Sequence, residues 1–135
     1  MILLDSSFIV AHLNEADQNH CRAVQEVEVI EEGRYGSPAI TDYIFDEIVT
    51  VMLTKTGRIE RVSEIGEKLL NATVLIRIDE ELFNLSWRLF KEQEKPLFSF
   101  ADCSSIAACN VNGISNIATF DEDFERLEAF NITRL

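Results

Sequence analysis

The chain is expected to fold as an α/β domain around a mostly parallel sheet. Three observations predict this. Short apolar or β-branched runs alternate with longer segments of helical periodicity. A length of 135 residues suits one domain with one core. Two of the apolar runs lead to an Asp, and functional groups collect at the carboxyl ends of strands in such sheets.

In order, "MILL" is a short apolar strand ending at Asp5. "SFIVAHL" reads as a short helix capped by Ser6 or Ser7. A polar helix covers roughly residues 17 to 32 and closes at Gly33, and "GSPAI" is a second strand. Pro38 and Pro96 fall between periodic segments, where proline belongs. The next helix starts near Thr41 and runs to Gly57, with Ile44, Phe45, Ile48, Val49, Met52 and Leu53 at helical spacing. "RIERVSEIGEKLLN" continues as a helix, and β-branched "TVLIRI" reads as a buried strand.

"DEELFNLSWRLFKEQEK" is a helix with two apolar rows, Leu82–Leu85–Leu89 and Phe83–Trp87–Phe90. "SFADCSSIAACNVNG" is a helix of small residues for close packing, capped by Gly113. "ISNIATF" is a strand, Asp121 opens a short helix, and "NITRL" is the last strand. There is no repeat, low-complexity tract or linker, so residues 1–135 form a single domain.

Composition narrows the function. The chain is 47% hydrophobic and 27% charged, as suits a globular protein. "MILLDSSFIVAHL" carries Asp5 in its middle and lacks a basic leader region, so it reads as neither signal peptide nor membrane span. A cytoplasmic protein with no membrane partner is the expectation. Cys21, Cys103 and Cys109 make an odd count without C-x-x-C spacing, which argues for reduced thiols. His12, His20 and Cys21 lack a recognised zinc-ligand spacing. The net charge of −12 speaks against phosphate binding through a broad basic surface. A phospho-receiver domain needs a Lys after a late strand, and Lys55, Lys68, Lys91 and Lys95 do not supply one.

Each notable carboxylate has an ordinary explanation beside a functional one. Asp5 sits at a helix start, where it suits the free N–H groups and the dipole. Asp102 lies three residues after Ser99, a capping-box variant. Glu47 and Asp46 flank opposite edges of an apolar stripe, and the periodicity does not choose between them. Asp121 and Asp123 suit a helix start, with Asp121 nearer the strand end. Taken together they suggest more. Carboxylates gathered at one sheet edge raise one another's pKa, and Mg²⁺ or Mn²⁺ resolves the repulsion because hard cations take carboxylate oxygens. Two divalent ions cancel four such charges. They can also orient a water, lower its pKa and stabilise a phosphoryl transition state.

"LLDSSFIVA", "FDEIVTVML", "FSFADCSSIAA" and "IATFDEDF" resemble, in order and spacing, the motifs of the PIN-domain family, and more narrowly the VapC-type toxins of toxin–antitoxin pairs. The resemblance spans nearly the whole chain. It implies a three-layer α/β/α fold with a five-stranded sheet. It also implies a Mg²⁺- or Mn²⁺-dependent endoribonuclease, a cognate antitoxin and a homodimer. Carried over by motif, Asp5, Glu47, Asp102 and Asp121 are the acidic site, and Glu47 is thereby chosen over Asp46. Asp123 is a supplement. Ser6 and Thr119 fall where the family often has small hydroxyl side chains, and Cys103 stands where Ala is common. Lys55, Arg58 and Arg61 follow at i, i+3 and i+6 and are either RNA contacts or a solvated helix face. The resemblance implies cleavage of RNA phosphodiesters by metal-activated water. The alternative is a PIN-like RNA-binding or assembly module with little turnover.

Overall fold

The structure, a computed structural model, describes residues 1–95 and 97–135; the expected break at Pro96 lies outside the described residues. The elements are β1 (Ile2–Leu4), α1 (Ser6–Leu13), α2 (His20–Glu31), β2 (Pro38–Thr41), α3 (Asp42–Thr56), α4 (Ile59–Ala72), β3 (Val74–Ile76), α5 (Glu80–Lys91), α6 (Phe100–Asn112), β4 (Asn116–Ala118), a 3₁₀ segment (Glu122–Phe130) and β5 (Thr133–Arg134). The strands form one five-stranded sheet in the order β3-β2-β1-β4-β5, and every pair is parallel. This is the expected α/β architecture.

Its geometry decides where a site can be. From β1 the chain moves outward through β2 and β3 on one side, then returns to build β4 and β5 on the other. The reversal falls between β1 and β4, where a crevice opens beyond the carboxyl ends of the strands. Leu4 pairs with Ala118 across that junction, and the N–H of Asp5 donates to the carbonyl of Ala118 at 3.0 Å. Asp5 and Thr119 therefore leave their strands side by side. Ile2 and Leu3 of β1 are fully buried, because a central strand is covered on both faces and both edges.

Local chemistry sets the helix that carries Glu47. The Thr41 hydroxyl accepts the Ile44 N–H at 3.1 Å and starts α3. Gly57 ends it in the left-handed conformation at φ 62°. Ile44, Ile48 and Met52 face the core. Gly66 of α4 lets the two helices approach closely: a Cβ there would stand 3.3 Å from the Phe45 ring. In α6, Cys103 through Cys109 are all buried, as a helix of small residues permits.

Three local expectations need correction. The "TVLIRI" strand is not buried along its length. β3 is a sheet edge with one neighbour, and Val74 is 45% exposed. The second helix begins at His20 rather than near residue 17, because Asn14 and Asp17 side chains take the N–H groups of Ala16 and Asn19 and hold a turn. Neither Ser6 nor Ser7 caps α1; Asp5 occupies that position, without a side-chain capping bond. Among the described residues, no helix is long and apolar enough to cross a membrane.

Candidate metal centre

The crevice between β1 and β4 is a cleft of about 420 Å³ lined by Asp5, Glu47, Asp102, Asp121 and Asp123, with Ser6, Ser7 and Ser99 beside them. Four elements deliver these five carboxylates. Asp5 follows β1, Glu47 lies on α3, Asp102 on the first turn of α6, and Asp121 and Asp123 at the start of the 3₁₀ segment. Asp46, by contrast, does not line the cleft; it is exposed and accepts from the Thr50 hydroxyl at 3.5 Å.

Asp5 is buried at 7% exposure and held by hydroxyls. Ser7 Oγ and Thr119 Oγ1 both donate to its Oδ2, at 2.6 and 2.8 Å. Ser7 Oγ also accepts the Phe120 N–H, and Thr119 Oγ1 the Asp121 N–H. The two hydroxyls thus tie the ends of β1 and β4 into one unit around the carboxylate. Thr119 was expected near the site. Ser6 lines the cleft, but the hydroxyl bonded to Asp5 is that of Ser7. A hydrophobic pattern does not choose between adjacent serines; the signal was the i, i+2 spacing from Asp5, which suits a side chain reaching back across a turn.

The capping and functional readings of these acids are compatible, because a carboxylate has two oxygens. Asp102 Oδ2 accepts the Ser99 N–H in a complete capping box. Asp121 Oδ1 accepts the Asp123 N–H. In Asp5, Asp102 and Asp121 alike, the hydrogen bonds among the described residues fall on one oxygen, and the other is left for a ligand.

One carboxylate oxygen each from Asp102, Asp121 and Asp123 lie within 4.8 Å of one another. Asp5 and Glu47 line the same cleft but stand outside this tight group. Asp123, expected only as a supplement, is therefore among its closest-set members. At such separations two unit charges repel by about 3 kcal/mol at the effective dielectric of a protein surface. Burial, and then the nearby Asp121 and Asp5 charges, raise the Asp102 pKa above the usual carboxylate value, against the opposing Ser99 hydrogen bonds. Among the described residues, no Lys, Arg or His lines the cleft. An all-oxygen donor set with uncompensated negative charge fits a hard divalent cation.

Lys55, Arg58 and Arg61 are exposed and are not brought to this cleft. Arg61 lines a separate depression with His12, Glu64 and Lys68.

Two predictions arise from this geometry. Ser7→Ala removes a donor from Asp5 and an acceptor from Phe120. It is expected to cost about 1 kcal/mol of stability and to weaken Mn²⁺ binding by about tenfold, as read by thermal melts and calorimetric titration. Unchanged Mn²⁺ affinity contradicts a positioning role. The second concerns pH. A carboxyl whose pKa is raised on folding holds its proton more firmly in the native state. It therefore favours that state at low pH, and the advantage is lost as pH rises from the ordinary Asp value through the raised one. Asp102→Asn cannot ionise, so in EDTA its melting temperature should fall less than the parent's over that interval. An identical pH profile counts against a raised Asp102 pKa.

A family model described as PIN domain matches residues 2–129. No curated protein sequence matches the chain significantly. Solved structures of similar shape include the Mycobacterium tuberculosis VapC20 toxin, described as cleaving the sarcin–ricin loop. It aligns with a TM-score of 0.80 at 21% identity, over 98% of this chain and 97% of that one. VapBC2 from Rickettsia felis, bound to a DNA fragment from its promoter, aligns with a TM-score of 0.73 at 15% identity, over 100% and 98%. A toxin–antitoxin complex from Klebsiella pneumoniae aligns with a TM-score of 0.67 at 18% identity, over 94% and 92%. At these identities the likeness establishes the shared fold.

Proposed function

The chain belongs to the PIN domain family, and from that premise we propose that it is a divalent-metal-dependent endoribonuclease, the toxin of a VapBC-type toxin–antitoxin module. The observation that carries the reading is the convergence of Asp5, Glu47, Asp102, Asp121 and Asp123 on one cleft that no basic side chain lines among the described residues. The toxins among the structures of similar fold support it.

Mg²⁺ or Mn²⁺ would be held by Asp102, Asp121 and Asp123, with Asp5 and Glu47 completing the site directly or through water. When bound, such an ion supplies a water of lowered pKa and neutralises charge developing on a phosphoryl group. The chain's own residues do the rest. Ser7 and Thr119 fix Asp5, and the capping box fixes Asp102, so the acids need little reorganisation as the reaction proceeds. Crowded carboxylates disfavour an RNA phosphate until a cation is present, which couples substrate binding to metal binding. Displacement of the 3′-oxygen in line leaves a 3′-hydroxyl and a 5′-phosphate.

The cognate partner would be a small antitoxin whose basic, partly helical tail lies across the acidic cleft, with Arg or Lys taking the place of the metal. A cytoplasmic homodimer is the working form. The test is incubation of purified chain, free of antitoxin, with single-stranded and structured RNA in Mn²⁺, Mg²⁺ or EDTA. Cleavage in metal alone supports the nuclease. Folded protein that binds RNA without cleaving it favours the binding-module reading.

A further inference from the structure

The 3₁₀ segment sorts its side chains into three rows, because residues three apart eclipse one another at three residues per turn. Phe124, Leu127 and Phe130 form the row packed on the core. Glu122, Glu125 and Glu128 form a row left in solvent. The third row begins with Asp123, which lines the acidic cleft, and continues one turn later with Arg126. Arg126 therefore shares the face of Asp123, about 6 Å further along the axis.

An arginine amid so many acids is expected to pair with one of them, and Arg126 does not. Among the described residues its side chain makes no ion pair and no hydrogen bond; Glu125 pairs instead with Arg134, at 3.4 Å. The guanidinium carbon of Arg126 lies 4.4 Å from the centre of the Phe98 ring, and Phe98 is buried against Phe124 and Phe130. An aromatic face holds a cation in place without neutralising it. Phe98 immediately precedes Ser99, which also lines the cleft. Arg126 is thus seated beside two lining residues without entering the cleft, where it would compete with a metal for the carboxylates. Other cations are placed differently. Lys68 pairs with Glu64 at 3.2 Å. Arg22 stands over Phe120 at 5.7 Å but shares its crevice with Glu26.

We propose that Arg126 binds a backbone phosphate of single-stranded RNA, next to the phosphate held at the metal centre. A guanidinium presents a planar fork of N–H donors that fits phosphate oxygens in pairs, and those of Arg126 are not taken up within the chain. The carboxylates admit the scissile phosphate only with a cation between. Arg126 offers the chain's own positive charge one turn away, on the shoulder of the cleft. A chain of net charge −12 thereby orients an RNA strand without a basic surface, because one uncompensated cation fixes the side on which the strand leaves the cleft. The inference rests on RNA as the ligand of the cleft and does not depend on turnover.

The test is the fluorescence anisotropy of labelled oligouridylate and oligoadenylate in Mn²⁺ across a salt series. The full chain carries Asp5→Asn so that the strand is not cut, and is compared with and without a change at Arg126. Each phosphate of a single strand that a cation neutralises adds about 0.7 to the slope of log affinity against log salt concentration. Arg126→Gln should make that slope shallower by about 0.7 and weaken binding by about tenfold, as for a hydrogen bond to a charged group. The loss should be equal for both oligonucleotides, since phosphate contacts carry no sequence information. Arg126→Lys keeps the charge and should keep the slope. Loss of the Phe98 contact alone would lower the melting temperature of Arg126→Gln and leave the slope unchanged. RNA bound with the same slope by Arg126→Gln overturns the inference and leaves the proposed function standing. A loss confined to one oligonucleotide also overturns it, and assigns Arg126 to base stacking. A chain that binds neither oligonucleotide removes RNA as the ligand, and the inference with it.

Discussion

Exchanging Asp5 for Asn is expected to lower metal-dependent RNA cleavage by about 10³-fold, a loss comparable to that of a principal group acting on transition-state charge, while leaving the fold intact. The asymmetry follows from how Asp5 is held. Its hydrogen bonds fall on Oδ2, from Ser7 and Thr119. An Asn carbonyl can take that place and keep both bonds. What changes is the other position, where an uncharged NH₂ replaces the oxygen left for a ligand. The substitution also removes one negative charge from a crowded cleft, so in chelator the variant should melt no lower than the parent. Comparing cleavage rates and melts of the two proteins checks both halves. A variant that cleaves normally, or one that fails to fold, contradicts the role assigned to Asp5.

The second large effect is on stability. Five carboxylates set in one cleft repel one another, and a cation that binds only the native state stabilises it by mass action. At about one hundred times its dissociation constant, Mn²⁺ should raise the unfolding free energy by about 3 kcal/mol. In a domain of this size that is a rise in melting temperature of about 10 °C. Asp121→Asn combined with Asp123→Asn should lose most of this response, because both residues belong to the tight oxygen cluster. Asn remains a good N-cap, so the 3₁₀ segment should persist. A melting temperature indifferent to Mn²⁺ and Mg²⁺ would mean that the acids serve only as caps.

Much of this was legible in the sequence, for identifiable reasons. The alternation of short strands with long periodic helices marks an α/β sheet, and the rule for such sheets carries Asp5 and Asp121 to one edge. Gly57 and Gly113 end their helices where left-handed caps are needed. Other features depend on three-dimensional placement that periodicity does not encode. β3 has the composition of a buried strand, yet its place at the sheet edge exposes Val74. Both apolar rows of α5 read alike; only packing against α6 shows that the leucine row turns in and the aromatic row out. Glu47 and Asp46 flank opposite edges of their stripe and the pattern does not choose between them; the close approach of α4 through Gly66 helps set the orientation of α3. Asp123 reads only as a supplement because a linear pattern does not reveal that a 3₁₀ turn brings its carboxylate beside Asp102. Capping and metal binding seemed rival explanations along the sequence, and the assignment of bonds to single oxygens removes the rivalry.

The most direct measurement is the chemistry of the cut ends. Parent and Asp5→Asn proteins are incubated with end-labelled RNA across a Mn²⁺ titration, with EDTA as the zero point, and the termini are identified. The expected result is cleavage by the parent alone, rising with Mn²⁺, absent in EDTA, and leaving 5′-phosphate and 3′-hydroxyl ends. Cleavage by the parent in EDTA, or equal cleavage by the Asp5→Asn protein, would contradict the metal centre as the seat of activity.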